Sequence, residues 1–150
     1  KGMGLLPMDT VFPEKKTRTR VEGQFGEITG VFAPLKDTRL EGYEIHMGET
    51  VLKGNAKSVT RIQDRVSGEQ KADGGYLENV CGTYVHGVFD KEAVAEAIVK
   101  IIGEKKGIDV SDMTGMDFQA FKDTQYDILA EELRKHLDME KIYEILEKGV

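Results

Sequence analysis

A chain of 150 residues, 39% hydrophobic and 32% charged, is long enough to bury a core and reads as a single soluble globular domain. Its net charge of −6 excludes the basic stripe of a nucleic-acid binder, and no apolar run reaches the ~20 residues of a membrane helix. The single cysteine, Cys81, cannot close an internal disulfide, which fits a reducing, cytoplasmic setting. No secretory signal opens the chain, and its start at Lys1 without an initiator methionine reads as part of something longer.

Residues 1 to about 50 are rich in glycine and β-formers and punctuated by Pro7, Pro13 and Pro34, which predicts short strands joined by turns. The basic cluster Lys15 to Arg20 reads as a solvated loop or strand edge. From Gly42 to Met47 the pattern alternates, with Tyr43, Ile45 and Met47 on one side and Glu44 and His46 on the other. Val59 to Ile62 is a further strand. The Asp73-Gly74-Gly75 run then turns the chain into a strand from about Leu77 to Val85. Alternation along it groups Cys81, Thr83 and Val85 on one face, and Val80, Gly82, Tyr84 and His86 on the other. On that reading Cys81 is a buried structural thiol.

After His86 the period changes to 3.6. Asp90 is the expected N-cap of a helix from Lys91 to about Ile102, with Val94, Ala97, Ile98, Ile101 and Ile102 as its apolar stripe. Gly107 and the Ile108 to Gly115 segment form a loop. A longer helix runs from about Asp117 to Leu137, with Phe118, Phe121, Gln125, Ile128, Leu129, Leu133 and Leu137 toward the core. Asp138 caps a last helix carrying Ile142, Tyr143, Ile145 and Leu146. Strands first and helices last is the pattern of the back half of a larger α/β domain.

The segment Gly82-Thr83-Tyr84-Val85-His86-Gly87-Val88-Phe89-Asp90 carries the clearest chemistry. It sets a histidine where a strand ends and a helix begins, between glycines that leave the ring room, and such strand ends are where ligands gather in α/β sheets. Histidine is the usual general base near neutral pH. Its nucleophile is not evident, because Cys81 lies on the opposite strand face and no GxSxG elbow is present. His46 reads as a half-buried strand residue held by a backbone carbonyl, or as part of a substrate site; a metal role lacks a second ligand at i+2 or i+4. His136 lies on the polar side of its helix. Gly23, Gly26 and Gly30 match no phosphate-binding fingerprint.

Four segments resemble the C-terminal part of the cobyric acid synthase family, glutamine-dependent amidotransferases of cobalamin biosynthesis. They are Gly4 to Phe12, Gly42 to Thr50, Gly82 to Asp90, and the tail around Tyr126 to Tyr143, with GYEIHMG the most specific. The resemblance implies an α/β fold: part of a class I glutamine amidotransferase-like three-layer domain, a mixed β-sheet with C-terminal helices. Residues 1–150 would then be the C-terminal part of one such domain. The nucleophile-bearing half and an N-terminal synthetase domain would lie outside this sequence.

By the same resemblance His86 is the catalytic histidine, serving a cysteine on a Gly-x-Cys-Gly-Gly elbow that this sequence lacks. His46, Met47, Gly48 and Glu49 would hold glutamine, with Gly48 permitting close approach. Position 88, where such enzymes commonly place a glutamate that orients the imidazole, is Val88; Glu44 or Asp90 could substitute, or the pair works as a dyad. No cofactor is expected on this stretch; ATP and Mg²⁺ would belong to the synthetase domain, which would also meet the corrinoid. This stretch alone would be inactive. The truncated face could self-associate. The sister readings are a cobyrinic acid a,c-diamide synthase, a cell-wall amidating subunit, or a non-catalytic binding module.

Overall fold

The computed structural model describes residues 2–14, 16–113 and 115–149. Lys1 and Lys15, which entered the readings of the chain start and of the basic cluster, lie outside the described residues, as does Thr114 of the predicted loop. The chain divides into two compact units, the second beginning at Met116.

The first unit is built on a five-stranded sheet. Its strands are β2 (Thr17–Phe25), β3 (Arg39–His46), β5 (Thr60–Asp64), β6 (Gln70–Asp73) and β9 (Val85–His86), in the order β6-β5-β2-β3-β9. Two small sheets flank it: β1 (Met8–Val11) with β4 (Glu49–Leu52), and β7 (Gly75–Leu77) with β8 (Val80–Gly82). All pairings among the described residues are antiparallel, consistent with strands joined by short turns rather than helical crossovers. The expected α/β class, strands first and helices last, holds.

Period-2 alternation decides the two faces of the sheet. Thr19, Val21, Phe25, Leu40, Glu44 and Ile62 point inward, while Arg18, Arg20, Tyr43, Ile45 and Arg61 point out. The inner side chains join Ile28, Leu35, Val59, Tyr76, Val85 and Val88 in one core, closed by α1 (Glu92–Lys106) through Val94, Ala97 and Ile101. Each such aliphatic side chain contributes about 1.5–3 kcal/mol on full burial. Arg18 and Arg20 are exposed on β2 and pair with β3, while the β5 ladder on the other side begins only at Val21, in keeping with a solvated strand edge.

Three expectations fail here. The strand predicted from Leu77 to Val85 is broken into β7, β8 and β9, because Glu78 takes a left-handed φ of 53° and makes a two-residue turn that pairs Leu77 with Val80. Cys81 is exposed on that hairpin, not buried; its neighbours still desolvate the sulfur enough to raise its thiol pKa. Helix α1 begins at Glu92 with Lys91 as its N-cap, so Asp90 falls one residue too early to cap it. The predicted stripe is otherwise right, except that Ile102 is half exposed.

The second unit holds α2 (Phe118–His136) and α3 (Met139–Lys148). Asp117 caps α2 by accepting from the backbone N–H groups of Gln119 and Ala120, and Asp138 caps α3 through Lys141 N–H. The residues of α2 expected toward a core are not buried: Phe121, Leu129 and Leu133 are all exposed. The period fixes which residues share a face but not what covers it. No helix of the described residues is long and apolar enough to cross a membrane.

Candidate active site

Strand β3 divides the sequence-predicted site between two sides of the sheet. Tyr43 pairs with His86 of β9, and Glu44 pairs with Val85. His86 is therefore on the outer face beside Tyr43, and Glu44 is inside. Gly42 makes this pairing possible: a Cβ there would sit 2.1 Å from the His86 carbonyl oxygen and 2.8 Å from a Val85 methyl.

His86 is exposed. Its ring makes one hydrogen bond among the described residues, a long one of 3.4 Å from Nε2 to the Ile45 carbonyl. A carbonyl can only accept, so in this contact Nε2 carries the hydrogen and Nδ1 keeps its lone pair. Glu44 cannot orient this ring, since alternation sends its carboxylate to the other face. Val88 is buried in the core, which accounts for the apolar residue where an orienting glutamate is usual. Lys91 pairs with Glu41 at 2.8 Å, tying the start of α1 to the outer face of β3 and lowering the Glu41 pKa through that hydrogen bond.

His46 is enclosed by a polar cluster. Nδ1 donates to the Gly48 carbonyl at 2.7 Å, and Nε2 lies 2.6 Å from Glu44 Oε1. The same carboxylate oxygen accepts from Lys71 Nζ at 2.7 Å, a residue of β6 on the far edge of the sheet. The imidazole stacks on Tyr84 with ring centroids 4.0 Å apart, and the Tyr84 hydroxyl continues through Thr50 at 2.7 Å to Thr10 at 2.8 Å. Glu44 is 1% exposed, so this carboxylate is stabilised chiefly by its two cationic or proton-donating neighbours. The cluster borders a cleft of about 380 Å³ that also reaches Thr17, Glu49 and Asp73.

Met47 and Glu49 flank the turn between β3 and β4, and both are exposed. Gly48 is buried, and a Cβ there would come 2.7 Å from the Thr10 methyl and 3.0 Å from the Tyr84 hydroxyl. The missing side chain lets Thr10 and Tyr84 pack close to the turn, and Gly48 itself lines the cleft. Tyr84 was expected to share a face with His86. The structure separates them, because alternation breaks at the corner Thr83-Tyr84 before β9 begins. Sequence reasoning also missed Lys71 and Asp73. Both act across the sheet, and no local pattern announces them. His136 is exposed and lies 3.5 Å from Glu132 one turn earlier.

The first unit thus holds an open histidine at a strand end on the outer face of β3, and a polar cleft beside the His46 cluster on the inner one. Residues 1–94 match the CobB/CobQ-like glutamine amidotransferase domain family, and the chain belongs to that family. Among curated proteins it is 42% identical over its full length to a cobyric acid synthase of Ruminiclostridium cellulolyticum, covering 30% of that protein. It is 34% identical over its full length to one of Lachnoclostridium phytofermentans, covering 31%. A third, from Citrobacter koseri, is 39% identical over 98% of this chain, which covers 29% of that protein. The chain thus spans about a third of the length of the relatives it matches.

Proposed function

We propose that this chain supplies the histidine side of a glutaminase site, as the C-terminal part of a single amidotransferase domain, with His86 as general base and acid. The observation that carries the reading is the contrast between the two strand histidines. His46 has both ring nitrogens engaged, whereas His86 stands exposed with one weak contact and a lone pair left over. Family membership makes glutamine the substrate.

On this reading a cysteine thiolate from outside these 150 residues attacks the glutamine carboxamide carbon. The imidazolium of His86 gives its proton to the departing ammonia. The neutral ring then takes a proton from the water that cleaves the thioester, releasing glutamate. Cys81 is not that nucleophile. It is carried on the β7–β8 hairpin, and its raised pKa keeps it a thiol. His46 locks the turn Met47-Gly48-Glu49, whose backbone meets the glutamine α-groups. The relatives' name supports a part in making cobyric acid, and the motif resemblance carries the rest of the reading: ammonia serves ATP-dependent amidation of the peripheral carboxylates of adenosylcobyrinic acid a,c-diamide in the cytoplasm. ATP, Mg²⁺ and corrinoid are handled by a synthetase part beyond this stretch.

The test is His86→Ala in the full-length protein, assayed with glutamine and with ammonium salt. Glutamine-dependent amidation falls by about 10²–10⁴ while ammonium-dependent amidation persists, because ammonia bypasses the glutaminase site. Equal loss with both nitrogen sources would make His86 structural and overturn the assignment.

A further inference from the structure

Asp73 is a buried carboxylate at the end of β6, 6% exposed, and the proposed chemistry gives it no task. Its hydrogen bonds run to the segment that leads into His86. Oδ2 accepts from the Thr83 hydroxyl and, at 3.2 Å, from Thr60 Oγ1; Oδ1 faces the Tyr84 backbone N–H at 3.3 Å. The Thr83 hydroxyl in turn accepts from the backbone N–H of Val85 at 3.0 Å. One hydroxyl thus donates to a fixed carboxylate and accepts from the first residue of β9, which is the use of both its capacities that a threonine allows.

This relay sits at the point where strand alternation breaks. Without the break, Tyr84 and His86 would share a face. With it, Tyr84 turns in to stack on His46 and His86 emerges on the outer face. Strand β9 has only two residues, and its ladder to β3 consists of the pairs Tyr43 with His86 and Glu44 with Val85. So short a ladder specifies orientation weakly by itself. Asp73 is well placed to supply what is missing. It is anchored at the start of β5, where the N–H of Val59, just before the strand, reaches its carbonyl at 3.3 Å and Thr60 its carboxylate.

We infer that Asp73 and Thr83 are positioning residues for His86: the carboxylate fixes the hydroxyl, the hydroxyl fixes Val85 N–H, and together they set the side to which the imidazole points. The inference rests on the reading of His86 as the glutaminase base. An imidazole displaced by about 1 Å can cost about a hundredfold in rate without altering ground-state binding of substrate.

The experiment compares Thr83→Val, Thr83→Ser and Asp73→Asn in the full-length protein, with His86→Ala alongside. Valine keeps the volume and removes the hydroxyl; serine keeps the hydroxyl. Thr83→Val and Asp73→Asn should lower glutamine-dependent kcat by ten- to a hundredfold, with glutamine KM within about twofold and ammonium-dependent amidation unchanged. Thr83→Ser should recover activity to within about threefold of wild type. Full activity in Thr83→Val while His86→Ala is inactive would overturn the inference alone. So would Thr83→Ser being as impaired as Thr83→Val, or a Thr83→Val protein that fails to fold, since each marks a merely structural role. Full glutaminase activity in His86→Ala would instead remove the reading on which the inference rests.

Discussion

A histidine stands on each side of the sheet at β3, His46 of that strand within and His86 of β9 without, and the two sides treat them in opposite ways. Inside, Glu44 and His46 find each other, Lys71, Tyr84 and the Gly48 carbonyl, and nearly every polar atom is matched within the chain. The exception is Glu44 Oε2, buried and without a hydrogen-bond partner among the described residues. Outside, one residue along, Tyr43, Ile45 and His86 stand exposed with little to hold them. A histidine whose two nitrogens are both engaged is fixed as scaffold; one with a single weak contact is free to exchange a proton. On the proposed reading, the chemistry belongs to the outer face and the inner one supplies order.

Substitutions along β3 should separate those roles. The largest effect is expected at their boundary. Gly42→Ala places a methyl against the His86 carbonyl, so β9 must leave β3 or the strand must bend; we expect a loss of about 3 kcal/mol or more in denaturant unfolding, together with glutaminase activity. Next is Glu44→Ala, which leaves His46 and Lys71 facing each other without their shared carboxylate. About 3 kcal/mol is expected, somewhat eased because Lys71 can swing to solvent. Ile45→Ala, the adjacent residue on the outer face and 42% exposed, should cost below about 1 kcal/mol. If Glu44→Ala and Ile45→Ala are equally costly, the two faces do not differ as described.

Cys81 provides a smaller check. Desolvation raises its pKa, so less thiolate is present at neutral pH than for an ordinary cysteine. Alkylation should be slow at pH 7 and accelerate as pH rises toward the raised value, and Cys81→Ser should leave glutamine-dependent activity intact. Rapid alkylation at pH 7 accompanied by loss of activity would restore Cys81 as a nucleophile.

Much of this was legible locally. The GYEIHMG alternation sorted Tyr43 and Ile45 from Glu44 and His46 correctly, and Asp117 and Asp138 announced the starts of α2 and α3. His86 at a strand end followed from the change of period. What escaped depends on distant partners or on rare backbone. Glu78 turns the chain with a positive φ that glycine or asparagine would have signalled and glutamate does not. The Thr83-Tyr84 corner is pinned by a carboxylate ten residues earlier, and the Lys71 contact to Glu44 spans the sheet. Alternation alone also leaves open which face is buried. Here Tyr43 and Ile45, the apolar pair of the alternating segment, are the exposed ones, and Leu40 is the β3 residue that joins the core contributions of β2, β5 and α1.

The contrast between the two histidines can be measured directly by acylating the full-length protein with diethyl pyrocarbonate and mapping the modified residues against remaining activity. The account predicts that His86 reacts early and that glutamine-dependent activity falls in step with it, that ammonium-dependent activity survives, and that His46 stays protected until the fold is lost. Early modification of His46, or loss of glutaminase activity while His86 remains unmodified, would contradict it.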